Sequence, residues 1–360
     1  MSGSERHPVD PGRGAGERNG PAERSAPGSA VASKGPAGSA GAGLPPARKQ
    51  VTFDLLRLAR APLAASAARG SLVGFALLWG NAPIDLRRGV ALSLLLGASA
   101  CLYWAGMVLN DLFDLERDRR LHPQRPLPSG AVDAGVAAFL GAALCVVGIA
   151  AAALAGLWAS GSGAGGLGGT ALAACVLLYD ALFKRWPRPG AAAMAGCRAL
   201  NTLLPAFVCA EAPPRALLLY AAATFVYVYG LTLLSTGEDA DLPSGSLVEG
   251  VGACLLPPLC LALVGTAPER AAPAAVAAVL LAGSVLAGAV NAVGRGTRRV
   301  GPALTRRLLR GLSLLDAGFL LAFAPWAWLA PALALTLAAR LLAPWVLAPP
   351  PRQAPPEVAH

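Results

Sequence analysis

The sequence predicts an all-α fold, a polytopic membrane helix bundle of nine or ten transmembrane helices. Three observations carry this. The 360 residues are 55% hydrophobic and only 14% charged, with a mean hydropathy of +0.55, whereas a soluble domain is nearer 45–50% apolar and about 25% charged. The apolar excess falls in blocks of roughly 20 residues, the length that crosses about 30 Å of hydrocarbon as a helix. Ala, Leu, Val and Gly fill these blocks, as in helices that pack closely in lipid. The formal charge of +10 does not point to nucleic acid, because the basic residues lie between the apolar blocks and in the N-terminal segment without a nucleic-acid-binding motif.

In chain order, residues 1–50 are rich in Pro, Gly, Ser and Ala, with no apolar run and no secretory h-region. They predict a disordered cytoplasmic tail. Residues 51–348 form the transmembrane domain, and 349–360 a second disordered tail. Helices are predicted near 54–80, 88–109, 132–158, 166–184, 191–210, 215–236, 247–266, 272–294, 303–323 and 326–347. "FAPWAWLAP" reads either as a turn between the last two or as a kink, which leaves the count at nine or ten.

Charge sets the orientation. With ten spans and the N-terminus inside, the interior loops carry Arg117, Arg119, Arg120, Arg125, Lys184, Arg185, Arg188, Arg295, Arg298, Arg299, Arg306, Arg307 and Arg310. The exterior loops carry only Arg87, Arg88, Arg215 and Arg270. This bias predicts a multi-pass plasma-membrane protein with a cytoplasmic N-terminus. It places residues 110–130 and 237–246 on the same cytoplasmic face.

The stretch "NDLFDLERDRR", 110–120, ends the second block. Asn110, Asp111, Asp114 and Asp118 follow N-D-x-x-D-x-x-x-D. On a continuing helix, 110, 114 and 118 share a face with 111 beside it. Carboxylates at i and i+4 repel unless a cation neutralises them. Hard oxygen ligands in this pattern suit Mg²⁺ completed by phosphate oxygens and water. The competing reading is a solvated helix end offset by Arg117, Arg119 and Arg120.

"RPLPSG" follows at 125–130. N-D-x-x-D-x-x-x-D followed closely by R-P-L-x-S-G resembles the UbiA-type intramembrane prenyltransferase superfamily. In "LYDALFKRWPRPG", 178–190, Tyr179 and Lys184 stand one residue further apart than the Y-x-x-x-K of many members. With "GCRALN" at 196–201, this spacing looks like an EboC-like bacterial branch. After the sixth helix the family pattern D-x-x-x-D is absent. "STGEDADLPSG" offers Glu238, Asp239 and Asp241 instead, which read either as ligands of a second Mg²⁺ or as a solvated turn.

The resemblance implies a bundle around a central cavity. It also implies an integral-membrane prenyltransferase that uses Mg²⁺ to ionise a prenyl diphosphate and transfers the prenyl group to an aromatic or other lipophilic acceptor. It implies catalytic roles for Asp111, Asp114, Lys184 and Tyr179. Asn110, Arg125, Arg198 and Asn201 would bind diphosphate, and Asp111, Asp114, Asp118, Glu238, Asp239 and Asp241 would bind metal. Arg198, inside an apolar block, is expected to face the cavity. The alternatives are a terpene cyclase on the same scaffold and a non-catalytic isoprenoid-lipid carrier.

Other features are read structurally. "GAGGLG", 163–168, lacks a preceding strand and is expected to be an exterior hairpin. The seven cysteines show no C-x-x-C spacing and read as packing residues. Asp316 is a lone intramembrane acid, a minor candidate for the cavity wall.

Overall fold

The computed structural model describes residues 48–80, 83–238, 241–264, 267–293 and 300–347. The predicted tails up to 47 and from 348, Asp239, and Arg295, Arg298 and Arg299 lie outside them. The described residues belong to one unit that begins at Pro46. They form helices α1 (Arg48–Leu58), α2 (Ala64–Trp79), α3 (Leu86–Phe113), α4 (Leu115–Leu121), α5 (Ala134–Ser160), α6 (Ala164–Ala181), α7 (Pro187–Cys209), α8 (Arg215–Ser235), α9 (Ser244–Leu263), α10 (Pro268–Val293), α11 (Pro302–Phe323) and α12 (Leu329–Leu347), with no strand among them.

Nine of these helices are long and apolar enough to cross a membrane. The chain is a multi-span integral membrane protein. The tenth long helix, α11, carries Arg306, Arg307, Arg310 and Asp316, which lower its hydropathy. The "FAPWAWLAP" question resolves as a turn: Ala324 is extended and Trp326–Trp328 form a 3₁₀ turn before α12. Arg57 Nε donates to the Val346 carbonyl at 3.2 Å, so the end of α12 meets α1. The chain therefore returns to the end of the bundle where α1 lies.

One predicted helix is broken, and another runs past its predicted end at 109 before it breaks. The span 54–80 divides into α1 and α2 because Pro62 disfavours helix in the residue before it. Arg60 absorbs the turn in the left-handed region, at φ 47° and ψ 46°. That conformation costs an L-residue roughly 1–2 kcal/mol and sends the Arg60 guanidinium toward α3. The second break is at Asp114 (φ −92°, ψ 3°), between α3 and α4. The i→i−4 bonds Asp114 N to Asn110 O (3.0 Å) and Asp118 N to Asp114 O (2.8 Å) survive it. Residues 110, 114 and 118 therefore keep one-turn spacing across the break.

The "GAGGLG" stretch is not a hairpin loop: Ala164 to Gly168 open α6. A Cβ on Gly165 would stand 2.2 Å from the Ala152 carbonyl oxygen of α5, so this glycine permits backbone-to-backbone packing of the two helices. Gly74 does the same for α2 against α7, where a Cβ would come within 2.1 Å of the Thr202 carbonyl. α2 is the most buried of the nine apolar helices and packs on α3, α7, α11 and α12.

At the centre, Asp316 of α11 is buried with Arg69 of α2. Arg69 Nε donates to Asp316 Oδ2 at 2.5 Å and Tyr220 OH of α8 to Oδ1 at 2.7 Å, while Arg69 Nη1 reaches Thr336 Oγ1 of α12 at 3.1 Å. The lone acid of the sequence is thus one node of a four-helix polar network. Asp316→Leu should destabilise the protein by about 3–5 kcal/mol, because it leaves a buried unpaired guanidinium. The double variant Arg69→Met/Asp316→Leu should recover most of that loss in detergent thermal denaturation. Equal loss in both would refute the pairing argument.

Candidate functional site at the α3 terminus

The end of α3 is held by three bases from three different segments. Arg60 Nη2 donates to Asp111 Oδ1 at 3.0 Å, and Trp104 Nε1 fixes the same turn through the Ala61 carbonyl at 3.1 Å. Lys184, in the 3₁₀ turn Phe183–Arg185 after α6, lies 2.9 Å from Asp114 Oδ1 and reaches Asn110 Oδ1 at 3.3 Å. Arg125 meets Asp118 Oδ2 at 2.5 Å. The Pro-rich turn that presents Arg125 is closed by bonds from Ser129 N to Arg125 O and from Val132 N to Pro126 O, with Gly130 at φ 76°. Asp133 then caps α5 by accepting from the Gly135 and Val136 amides. Asp111 and Asp118 are buried.

One residue that the sequence reading passed over belongs here. Asp180, on α6 one turn before Lys184, is 2% exposed, and its Oδ2 has no hydrogen-bond partner. It stands within electrostatic reach of Lys184, Asp114 and Asp111. Its signal was present in Y-D-x-x-x-K, where Asp180 and Lys184 sit at i and i+4. Asp180, Tyr179, Tyr103, Met107 and Arg198 line a narrow cavity of about 60 Å³.

Arg198 faces the cavity as expected. Its Nη2 donates to Ser66 Oγ at 3.2 Å and its guanidinium lies 5.3 Å over the Tyr103 ring. Asn201 lines the same cavity, but its amide is engaged at both ends. Ser99 Oγ donates to Oδ1 at 2.7 Å and Nδ2 donates to the Ala67 carbonyl at 2.8 Å, so Asn201 ties α2, α3 and α7 together. Glu238 and Asp241 are exposed. Among the described residues no three acids gather at metal-binding distance; Asp111, Asp114 and Asp118 are each paired with a base.

The donor chemistry nonetheless fits a hard divalent cation. Asp111, Asp114 and Asn110 supply oxygens at one helix end, and the orphaned Asp180 Oδ2 is a buried acceptor that such an ion would satisfy. Asp118 is neutralised by Arg125.

The profile of the UbiA prenyltransferase family matches residues 70–293. Digeranylgeranylglyceryl phosphate synthase of Saccharolobus solfataricus is 33% identical over 104 residues, 29% of this chain and 36% of that protein. The synthase of the same name from Methanocaldococcus jannaschii is 34% identical over 94 residues, 26% of this chain and 32% of that protein. The chain therefore spans about a third of the length of the curated relatives it matches. Among solved structures, a UbiA homolog from Archaeoglobus fulgidus bound to DMAPP and Mg²⁺ superposes with a TM-score of 0.57 at 18% identity, covering 78% of this chain and 98% of that one. The apo UbiA homolog from Aeropyrum pernix K1 gives 0.56 at 21%, covering 72% and 97%. These likenesses establish the fold.

Asn201→Leu should cost about 1–3 kcal/mol, because it leaves the buried Ser99 hydroxyl without its acceptor and removes the bond from α7 to the Ala67 carbonyl of α2. The melting midpoint of the purified protein measures this, and an unchanged midpoint would remove the bridging role.

Proposed function

The chain belongs to the UbiA prenyltransferase family, and on that premise we propose that it uses Mg²⁺ to ionise a prenyl diphosphate and transfers the prenyl group to an aromatic or other lipophilic acceptor. The observation that carries this reading is the juxtaposition of the α3 acids and the orphaned Asp180 with Lys184, at the edge of an apolar cavity. Asp111, Asp114 and Asp180, with Asn110, would hold the metal; Glu238, Asp239 and Asp241 remain candidates for a second ion. When bound, Mg²⁺ draws charge from the leaving diphosphate.

The chain's own groups do the rest. Lys184, Arg125 and Arg198 neutralise phosphate oxygens, which favours the leaving group as charge develops on it. The C1–O bond breaks with its electron pair staying on the diphosphate. A pair from the acceptor then forms the new bond to C1, and the displaced proton passes to water. Tyr179, Tyr103 and Met107 wall the narrow cavity and keep water from the allylic carbon. The arginine bias of the loops supports a cytoplasmic placement of this face in the plasma membrane, with the N-terminus on the same side.

The test is Mg²⁺-dependent diphosphate release from C10 to C50 prenyl diphosphates, with mass spectrometry of the products. Asp111→Ala and Asp114→Ala should each lower release roughly 100-fold or more, the equivalent of several kcal/mol of charge stabilisation. Unchanged release in both would sink the assignment. Cyclised product without added acceptor would redirect it to the cyclase reading.

A further inference from the structure

The cysteines of this sequence show no paired spacing, yet the fold brings two of them into contact. Cys175 of α6 and Cys197 of α7 stand with their sulfurs 3.3 Å apart, the Cys197 thiol donating to Cys175 Sγ. Cys175 Sγ donates in turn to the Ala193 carbonyl at 3.7 Å. Ala193 lies one helical turn before Cys197, so the Cys175 sulfur rests on the same face of α7 that carries its neighbour. A disulfide needs its sulfurs about 2.05 Å apart, which leaves this pair roughly 1.2 Å to close.

The pair is also reachable. Cys197 lines the narrow cavity beside Tyr179, Asp180 and Arg198, and Cys175 is half-buried. A small neutral oxidant entering that cavity meets the Cys197 sulfur, with a second thiol directly behind it. The residues between the two cysteines are those that α6 and the turn after it contribute to the site, Tyr179, Asp180 and Lys184. A bond from 175 to 197 closes that stretch, 22 residues in separation, into a loop.

We propose that Cys175 and Cys197 form a peroxide-sensitive thiol pair, whose oxidation to a disulfide fastens the Lys184-bearing end of α6 to α7. The Cys197 sulfur attacks one peroxide oxygen and the O–O bond breaks. Cys197 becomes a sulfenic acid, and the other oxygen leaves as water with the thiol proton. The Cys175 sulfur then attacks the Cys197 sulfur, and the sulfenic hydroxyl leaves as a second water with the Cys175 proton. Two thiols are oxidised to one disulfide while one hydrogen peroxide is reduced to two waters. A thiol reductant reverses the change through a mixed disulfide.

The experiment uses the full-length protein in phosphatidylcholine nanodiscs, with neither donor nor Mg²⁺ present. After hydrogen peroxide treatment, the remaining thiols are alkylated under denaturing conditions and the chain is cut with trypsin, which cleaves at Lys184 between the two cysteines. Mass spectrometry should recover a reducible peptide pair joined through 175 and 197, with two of the seven thiols lost. The melting midpoint should rise by about 5 °C, because closing the loop restrains the unfolded chain. Hydrogen exchange over residues 182–190 should slow several-fold, and dithiothreitol should reverse both shifts.

Cys175→Ser and Cys197→Ser should each abolish the joined peptide and both shifts. If one serine variant fails to fold, the other serves. Absence of the joined peptide overturns the proposal, as does a link to any other cysteine. So does a sulfenic or sulfinic acid that stays on Cys197 unlinked, or a peroxide-induced shift that survives in the serine variants. None of these readouts needs turnover, so a failure of diphosphate release would refute the proposed activity alone.

Discussion

Every charge placed at membrane depth in this bundle must meet an opposite charge or a hydrogen-bonding ligand, and that constraint organises the structure. Desolvating an ion costs several kcal/mol, which only a well-placed partner offsets. Three of the four partners come from far along the chain. Asp111 is answered by Arg60, Asp114 by Lys184, Asp118 by Arg125 and Asp316 by Arg69. Each pair fixes one segment against another, so the charges that sequence hydropathy counts as interruptions are the points where helices are pinned.

The pinning explains the two irregular helices at the site. The left-handed Arg60 would be unfavourable alone, but it delivers a guanidinium to Asp111 that a continuous helix 54–80 would not present in this way. The break at Asp114 keeps the hydrogen-bond ladder while beginning a new helix. Asp111 and Asp114 thereby meet bases from different elements, α1's end and α6's end.

The sequence disclosed the fold class, the helix order and the acid-rich end of α3, because apolar block length and residue spacing are local properties. It did not disclose pairings. Arg60 and Asp111 lie 51 residues apart, and Arg69 and Asp316 lie 247 apart. Nothing local in "LLDAGFLL" marks Asp316 as the partner of an arginine on α2. Asp180 was missed because an acid next to a basic helix end reads as solvated; only packing shows its orphaned oxygen. Arg310 was read as an orientation signal, and the backbone turns it onto a cavity wall. Asn201 carried a binding expectation, yet its amide is engaged at both ends by neighbouring helices. α11 is less apolar than its neighbours because of Arg306, Arg307, Arg310 and Asp316, of which Asp316 joins the interior network.

The two cavities divide the charge of the bundle. The narrow one has Asp180 of α6 in its wall, within electrostatic reach of the α3 acids, and the larger one, of about 430 Å³, is walled by the guanidinium groups of Arg60, Arg69, Arg198, Arg310 and Arg340. In a low-dielectric space a developing allylic cation is repelled by guanidinium and attracted by carboxylate and by the π faces of aromatic rings. Tyr103 stands where the cavities meet, with Arg198 over its ring. Electrostatics therefore favours a cation on the Asp180 side of that boundary and an anion on the Arg310 side.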